Sequence, residues 1–177
     1  MTKSNSPTNM KADETEPLEH IVTAWASAWQ HRMSAQLVAL WDTADVKSWF
    51  LSAGSVEPYI GHAVVGHLQR RCLGSNAIGY RPGQLHLRRL APDIGLAFFN
   101  LDWSERLAAQ NLDGNKTLGG RVRVTMMMRL QASVWRVFHY AEAPLAPLLE
   151  LQAFYEAIAA DGLENIPSRT FVPATQP

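Results

Sequence analysis

Residues 62–90 read HAVVGHLQRRCLGSNAIGYRPGQLHLRRL, and the spacing of the apolar residues changes partway through them. From His62 to Leu73 the period is helical, about 3.6 residues, and Gly74 stops it. From Ile78 to Leu90 the period is about two, that of a strand, interrupted by Pro82 and Gly83. A helix hands over to a strand near Gly74. The two sides of that point differ in kind.

Working upstream, helices dominate. Pro17 suits the first turn of a helix, and Leu18, Ile21, Val22, Trp25, Ala28, Trp29 and Met33 form its apolar stripe. Ser34 is the expected cap of a second, short helix carrying Leu37, Val38, Leu40 and Trp41. Almost nothing joins the two, so they make an αα-hairpin. Val46–Leu51 reads as a strand and the segment with Gly54, Pro58 and Gly61 as a loop. Residues 1–16 are polar and are expected to be a disordered lead.

Downstream, strands follow one another. Ala91-Pro92-Asp93 is a turn into a long strand, Ile94–Leu107. Asn111–Gly120 is a polar connection whose Asp113-Gly114 is a hairpin signal. Arg121–Leu130 and Val134–Glu142 are two further strands across a tight turn. Pro144 and Pro147 end the sheet, Leu148–Ala160 reads as a closing helix, and 164–177 as a tail. The expectation is an α+β domain over 17–163 with its helices segregated to one face of the sheet.

Composition narrows the function classes. An apolar share of 47% and a charged share of 18% are globular values. The formal net charge is zero, which argues against nucleic acid or an anionic membrane as partner. Cys72 is the single cysteine, so no internal disulfide is available. With no signal-peptide pattern and no spanning apolar run, a cytoplasmic protein is expected.

Three local segments resemble one superfamily. Leu37-Val38-Ala39-Leu40-Trp41 followed by Ala44-Asp45-Val46 resembles its aspartate-rich turn into the first strand. Tyr59-Ile60-Gly61-His62-Ala63-Val64 resembles the entry into its third helix, and Val134-Trp135-Arg136-Val137-Phe138-His139-Tyr140 its last strand. Together, over about 17–143, they are similar to the nuclear-transport-factor-two-like (SnoaL-like, polyketide-cyclase-like) superfamily. The resemblance implies a cystatin-like roll, a curved mixed or antiparallel sheet wrapped around the N-terminal helices to make a cone that holds a ligand. The helix after the last strand is an addition to that pattern.

The same resemblance supplies chemistries to test. Ketosteroid isomerases of the superfamily use a tyrosine, a carboxylate base and a protonated acid. Here those places fall on Trp25, on Trp49 and near Thr125–Met127, none of which has the required chemistry. A dehydratase or cyclase needs a histidine near a carboxylate. His139, with Asp102 and His86, is the expected acid–base set, and Asn100 lies on the same face of its strand as Asp102. Strict alternation places His139 with Trp135 and Val137, and His86 with Tyr80, Gln84 and Arg88. The bland alternative is a structural histidine and a surface aspartate.

The strand 121–130 alternates cleanly. Val122, Val124, Met126, Met128 and Leu130 share one face; Arg121, Arg123, Thr125, Met127 and Arg129 share the other. Arg123, with Arg121, is placed to grip a carboxylate, or simply to be solvated. Trp25, Trp29, Trp49, Tyr59, Tyr80, Asn100, Arg123 and Met127 are the expected ligand-lining set, with core packing as the plain alternative for the tryptophans. His62 and His67 are off the spacing that puts two ligands on one helix face, and no phosphate loop or nucleophile elbow occurs. No metal and no cofactor are expected.

Three readings remain open. The first is a protein that binds a small hydrophobic or aromatic molecule in a conical pocket. The second is a lyase, isomerase or cyclase using a His–Asp pair. The third is a non-catalytic assembly module. A homodimer through the open sheet face is compatible with all of them.

Overall fold

The computed structural model describes residues 15–107 and 117–145. The chain divides into two compact units, Met1–Pro144 and Leu145–Pro177, and the described helices and strands all belong to the first. Residues 1–14 of the expected N-terminal lead, the Asp113-Gly114 turn, the helix Leu148–Ala160 and the tail lie outside the described residues, and Glu16, placed in the lead, is the first residue of a helix.

The element order is α1 (Glu16–Gln30), α2 (Ser34–Leu40), β1 (Trp49–Leu51), β2 (Tyr59–Ile60), α3 (His62–Gly74), β3 (Ser75–Ala91), β4 (Ile94–Leu107), β5 (Thr117–Gln131) and β6 (Val134–Pro144). The six strands form one curved, unclosed sheet in the order β2-β1-β6-β5-β4-β3. The four long strands pair antiparallel with one another, whereas β1 runs parallel to β6. The sheet is therefore mixed. The handover near Gly74 is abrupt: α3 ends at Gly74 and β3 begins at Ser75, three residues before the alternation becomes visible.

Several boundaries differ from the expectation for local reasons. Ser34 is the first residue of α2 and makes no capping bond; Met33 holds the cap position. The first strand starts at Trp49 rather than Val46, because Asp45 folds its side chain onto the Lys47 N–H and its carbonyl accepts from Ser48. β2 is too short for any period and pairs antiparallel with β1. The turn after β5 puts both Ala132 and Ser133 at positive φ, the signature of a tight two-residue hairpin.

The helices cover one face of the sheet, with α1 packed on β3, β4 and β6. Under them lies a single core that includes Leu18, Trp25, Trp29, Leu37, Trp41, Phe50, Leu68, Phe99, Val124, Met126, Val137 and Tyr140. The alternation on β5 holds: Val122, Val124, Met126 and Met128 face the helices and are buried. Gly95 sits under Leu18, whose methyl groups occupy the space a Cβ would need. At the sheet edge, Gln30 donates to the Tyr80 carbonyl at 2.6 Å and Arg32 to that of Ser75 at 2.7 Å. Part of β3's open edge is thereby closed by the end of α1 and the turn after it.

Candidate functional site

The helix-facing side of the sheet is filled with aromatic rings. Trp25 lies 6.2 Å from Trp29, 6.0 Å from Trp41 and 5.7 Å from Tyr140, centroid to centroid. Phe50 stacks on Tyr140 at 4.6 Å, and Trp29 on Tyr80 at 6.3 Å. Trp25, Trp41 and Tyr140 have 0% of their surface accessible, and Trp29 and Phe50 have 1%. A side chain with no accessible surface borders no space large enough for a water molecule. Around these residues the cone is packed.

One polar chain runs through that packing. Trp25 Nε1 donates to the Tyr80 hydroxyl at 3.2 Å, Tyr80 bonds to Tyr140, and Tyr140 donates to Glu142 Oε1 at 2.7 Å. Glu142 Oε2 accepts from the Ala53 N–H at 2.9 Å. An indole N–H only donates and a carboxylate only accepts, so the proton of each hydroxyl has one direction. Burial, then the nearby Glu142 carboxylate, raises both tyrosines far above the usual phenol range.

A second cluster flanks it. Arg71 pairs with Glu105 at 3.2 Å, and the Ser75 hydroxyl also donates to Glu105. The Arg71 guanidinium lies 5.2 Å from the Trp29 ring and 5.8 Å from that of Trp103. His67 stacks on Tyr59 at 4.0 Å. Burial, helped by Arg71 and Arg70, lowers its pKa to about 4, and its Nε2 is buried without a partner among the described residues. No group of three metal-ligating side chains occurs among the described residues.

The expected acid–base set does not enter the cone. Two irregularities reset the alternation. On β6 the pairing jumps from Met127↔His139 to Met128↔Val137, leaving Phe138 as an extra residue. Tyr140, not His139, therefore follows Trp135 and Val137 onto the inner face. His139 turns outward, edge-on to Trp49 at 4.1 Å, and burial alone lowers its pKa. On β3 the pairing slips between Gly83 and His86, with Gln84 at φ 50°, so His86 is exposed while Tyr80 faces inward.

Asp102 is on the outer face too, paired two-pronged with Arg121 at 2.6 and 3.0 Å, a bond that lowers its pKa. His139 is in register with Met127 and, through it, Leu96. Leu96 and Asp102 are six residues apart, ~20 Å along the strand. The three groups share a face but do not converge, which corrects the expectation of a His–Asp pair.

The expected ligand-lining residues divide between the two faces. Trp25, Trp29 and Tyr80 are buried inside, whereas Trp49, Asn100, Arg123 and Met127 lie on the outer face; Tyr59 is half-buried against His67. Sequence reasoning missed Tyr140 and Glu142. Their two-residue spacing was visible, but the bulge at Phe138 hid which way they face.

The outer face has its own pattern. One row across the strands reads Ile60, Trp49, His139, Met127, Leu96, Arg88; the next reads Leu51, Ala141, Thr125, Phe98, His86. Beyond them lie Ala143, Arg123, Asn100, Gly83, and then Arg121, Asp102, Arg81. Ile60 is 55% exposed and Phe98 41%. The first two rows are mostly apolar but end on β3 in Arg88 and His86, and the next two carry Arg123, Arg121 and Arg81.

A roll of this kind, with the three helices of the described residues against one curved mixed sheet, defines a class, and comparison with solved structures says which. A nuclear-transport-factor-2-like superfamily protein from Salmonella enterica serovar Typhimurium aligns with TM-score 0.66 at 8% identity, over 78% of this chain and 96% of that one. A protein with a cystatin-like fold from Caulobacter vibrioides gives 0.63 at 14% identity, over 84% and 99%. A nuclear-transport-factor-2-like protein of unknown function from Pseudomonas putida gives 0.60 at 18% identity, over 78% and 91%. The chain has the nuclear-transport-factor-two-like, cystatin-like α+β fold. No family model and no curated protein sequence matches it. Among the described residues, no helix is long and apolar enough to cross a membrane.

Proposed function

We propose that this chain is a non-catalytic interaction module that works through the outer face of its sheet. One observation carries the reading: the inner side is packed around Trp25, Trp41 and Tyr140 with no accessible surface, while Phe98 and Ile60 stand exposed outside. Exposed apolar groups in neighbouring rows of one face favour a contact. The homodimer expected from the sequence would use this same face. Light scattering on the wild type and on Phe98→Glu tests it, with circular dichroism confirming that the fold is kept. An unchanged mass and unchanged partner binding in Phe98→Glu would remove this face from consideration.

A second reading keeps the small hydrophobic or aromatic molecule. Its support is Glu142, half-buried at the end of the tyrosine chain, with carboxylate lone pairs beyond those taken by Tyr140 and Ala53. Trp25 is the built-in reporter, since it heads the same chain. Titration with simple phenols and amines, read by tryptophan fluorescence, should show saturation that Glu142→Gln weakens. A linear, unsaturated response would end this reading.

A further inference from the structure

We infer that residues 52–59 form an acid-released latch, held closed by neutral His67 and let go from Glu142 when His67 takes a proton. The inference goes beyond both readings of the function and depends on neither.

The latch has few fastenings. It leaves β1 after Leu51 and reaches α3 through Tyr59, Ile60 and Gly61. From Ala53 to Pro58, a single hydrogen bond among the described residues reaches another element, from the Ala53 N–H to Glu142 Oε2 at 2.9 Å. The other bonds are internal: the Ser55 N–H donates to the Ser52 carbonyl at 2.9 Å, and the two serine hydroxyls meet at 2.6 Å. Val56 is fully exposed, and Gly54 has open space around it. A segment tied mainly to itself moves as a unit. Its second fastening is Tyr59, whose ring stacks on His67 at 4.0 Å.

A proton on His67 does not suit that stack. Both ring nitrogens of an imidazolium are donors, yet Nε2 is buried with no partner among the described residues. An unpaired charge there costs far more than an unpaired neutral atom. The surroundings offer no relief. Arg70 and Arg71, on the same helix, oppose a further positive charge. α2, packed against α3, carries no titratable side chain; β1 presents the Phe50 ring at 5.0 Å, and β2 presents Tyr59. On β3 the inward titratable group is Tyr80, already bonded to Trp25 and Tyr140. Glu105 is engaged by Arg71 and Ser75, and Glu142 by Tyr140 and Ala53. Glu57, in the latch itself, is exposed, and no carboxylate among the described residues pairs with His67. The protonated ring therefore turns to water and leaves Tyr59. The segment then keeps only its bond to Glu142, for which water competes, so opening frees the carboxylate end of the tyrosine chain. With His67 at about 4 when closed and 6.5 when free, the open state binds the proton first. Opening grows as the pH falls through 6.5 and levels off near 4, rising about twentyfold between pH 7 and pH 5.

Amide hydrogen exchange of the full chain, followed residue by residue by NMR, reads the latch through the Ala53 N–H. Corrected for the intrinsic exchange rate, Ala53 protection should fall about twentyfold from pH 7 to pH 5 in the wild type. At pH 5 that protection should not respond to sub-denaturing urea, since opening a short segment exposes little surface. Met126, in the middle of β5, should respond with the full slope of unfolding. His67→Phe keeps a ring that cannot titrate and should abolish the fall; His67→Gln does the same without the larger ring. Unchanged Ala53 protection in the wild type overturns the inference. An equal fall in either variant overturns it and assigns the effect to Glu142. A urea slope at Ala53 equal to that at Met126 overturns it as well, since the segment would then open only with the whole fold.

Discussion

Tyr140 donates its hydroxyl proton to Glu142 across 2.7 Å, two residues further along the same face of the same strand. That bond orients everything behind it. With Tyr140's proton committed to the carboxylate, Tyr80 must donate to Tyr140 and accept from Trp25.

Removing the middle of the chain should cost more than one hydrogen bond. Tyr140→Phe leaves the buried Tyr80 hydroxyl with a proton and no acceptor, and takes one donor from Glu142. The expected loss is about 1–3 kcal/mol in urea unfolding, against a smaller loss for Tyr59→Phe, whose hydroxyl is not in the chain.

Two arginine–aspartate pairs should behave oppositely. Asp42 has 1% of its side chain exposed and is held by Arg129, Gln131 and the Ala44 N–H. Arg129→Ala strands that buried carboxylate and is expected to destabilise the fold by about 3 kcal/mol. Asp102→Asn breaks a pair that is solvent-exposed on both sides, so its urea midpoint should match the wild type's. A large loss at Asp102 would show that the outer-face pair does more than meet solvent.

The pH dependence has a different origin at each end. Tyr80 and Tyr140 have folded pKa values above the unfolded one, so the stability they contribute is fully present below about pH 10 and is lost above it. Their phenolate absorbance should appear only together with unfolding. His67 is a base whose folded pKa, about 4, lies below the unfolded 6.5, so the unfolded state binds the proton first. Stability should fall as the pH drops from about 6.5 towards about 4, with His139 adding in the same direction. In His67→Asn that slope should be shallower; an unchanged slope would assign the acid sensitivity elsewhere.

Gly61 should tolerate no side chain. It precedes α3 at φ 54°, and a Cβ there would sit 2.7 Å from the Val46 carbonyl oxygen, a backbone atom that cannot rotate away. Gly61→Ala is expected to lose about 1–3 kcal/mol. Gly54→Ala, with open space around it, is the control, and thermal melts of the two separate space from strain.

Much of the fold was legible because its signals are local. The strand Arg121–Leu130 shows its two faces in five alternating pairs, and in the structure Val122, Val124, Met126 and Met128 are buried while Arg121 and Arg123 are exposed. α1 and α3 follow from their apolar stripes and from Pro17 and Gly74. The candidate site was not legible in the same way. His139 and His86 were placed by counting in twos, and one extra residue at Phe138 and one slip after Gly83 reversed each of them relative to its neighbours. Such irregularities are answers to sheet curvature and strand pairing, so they depend on residues far away in the chain.

The sequence by itself determined the order of the described helices and of every described strand but β2, the single covered face of the sheet and the aromatic content of the core, since periodicity and composition act over a few neighbouring residues. Only the tertiary structure decided that the rings of Trp25, Trp41, Phe50 and Tyr140 close on one another, that β1 lies parallel to β6, and that both histidines face outward. Those outcomes come from packing and register between distant strands, where a shift of one residue exchanges inside for outside.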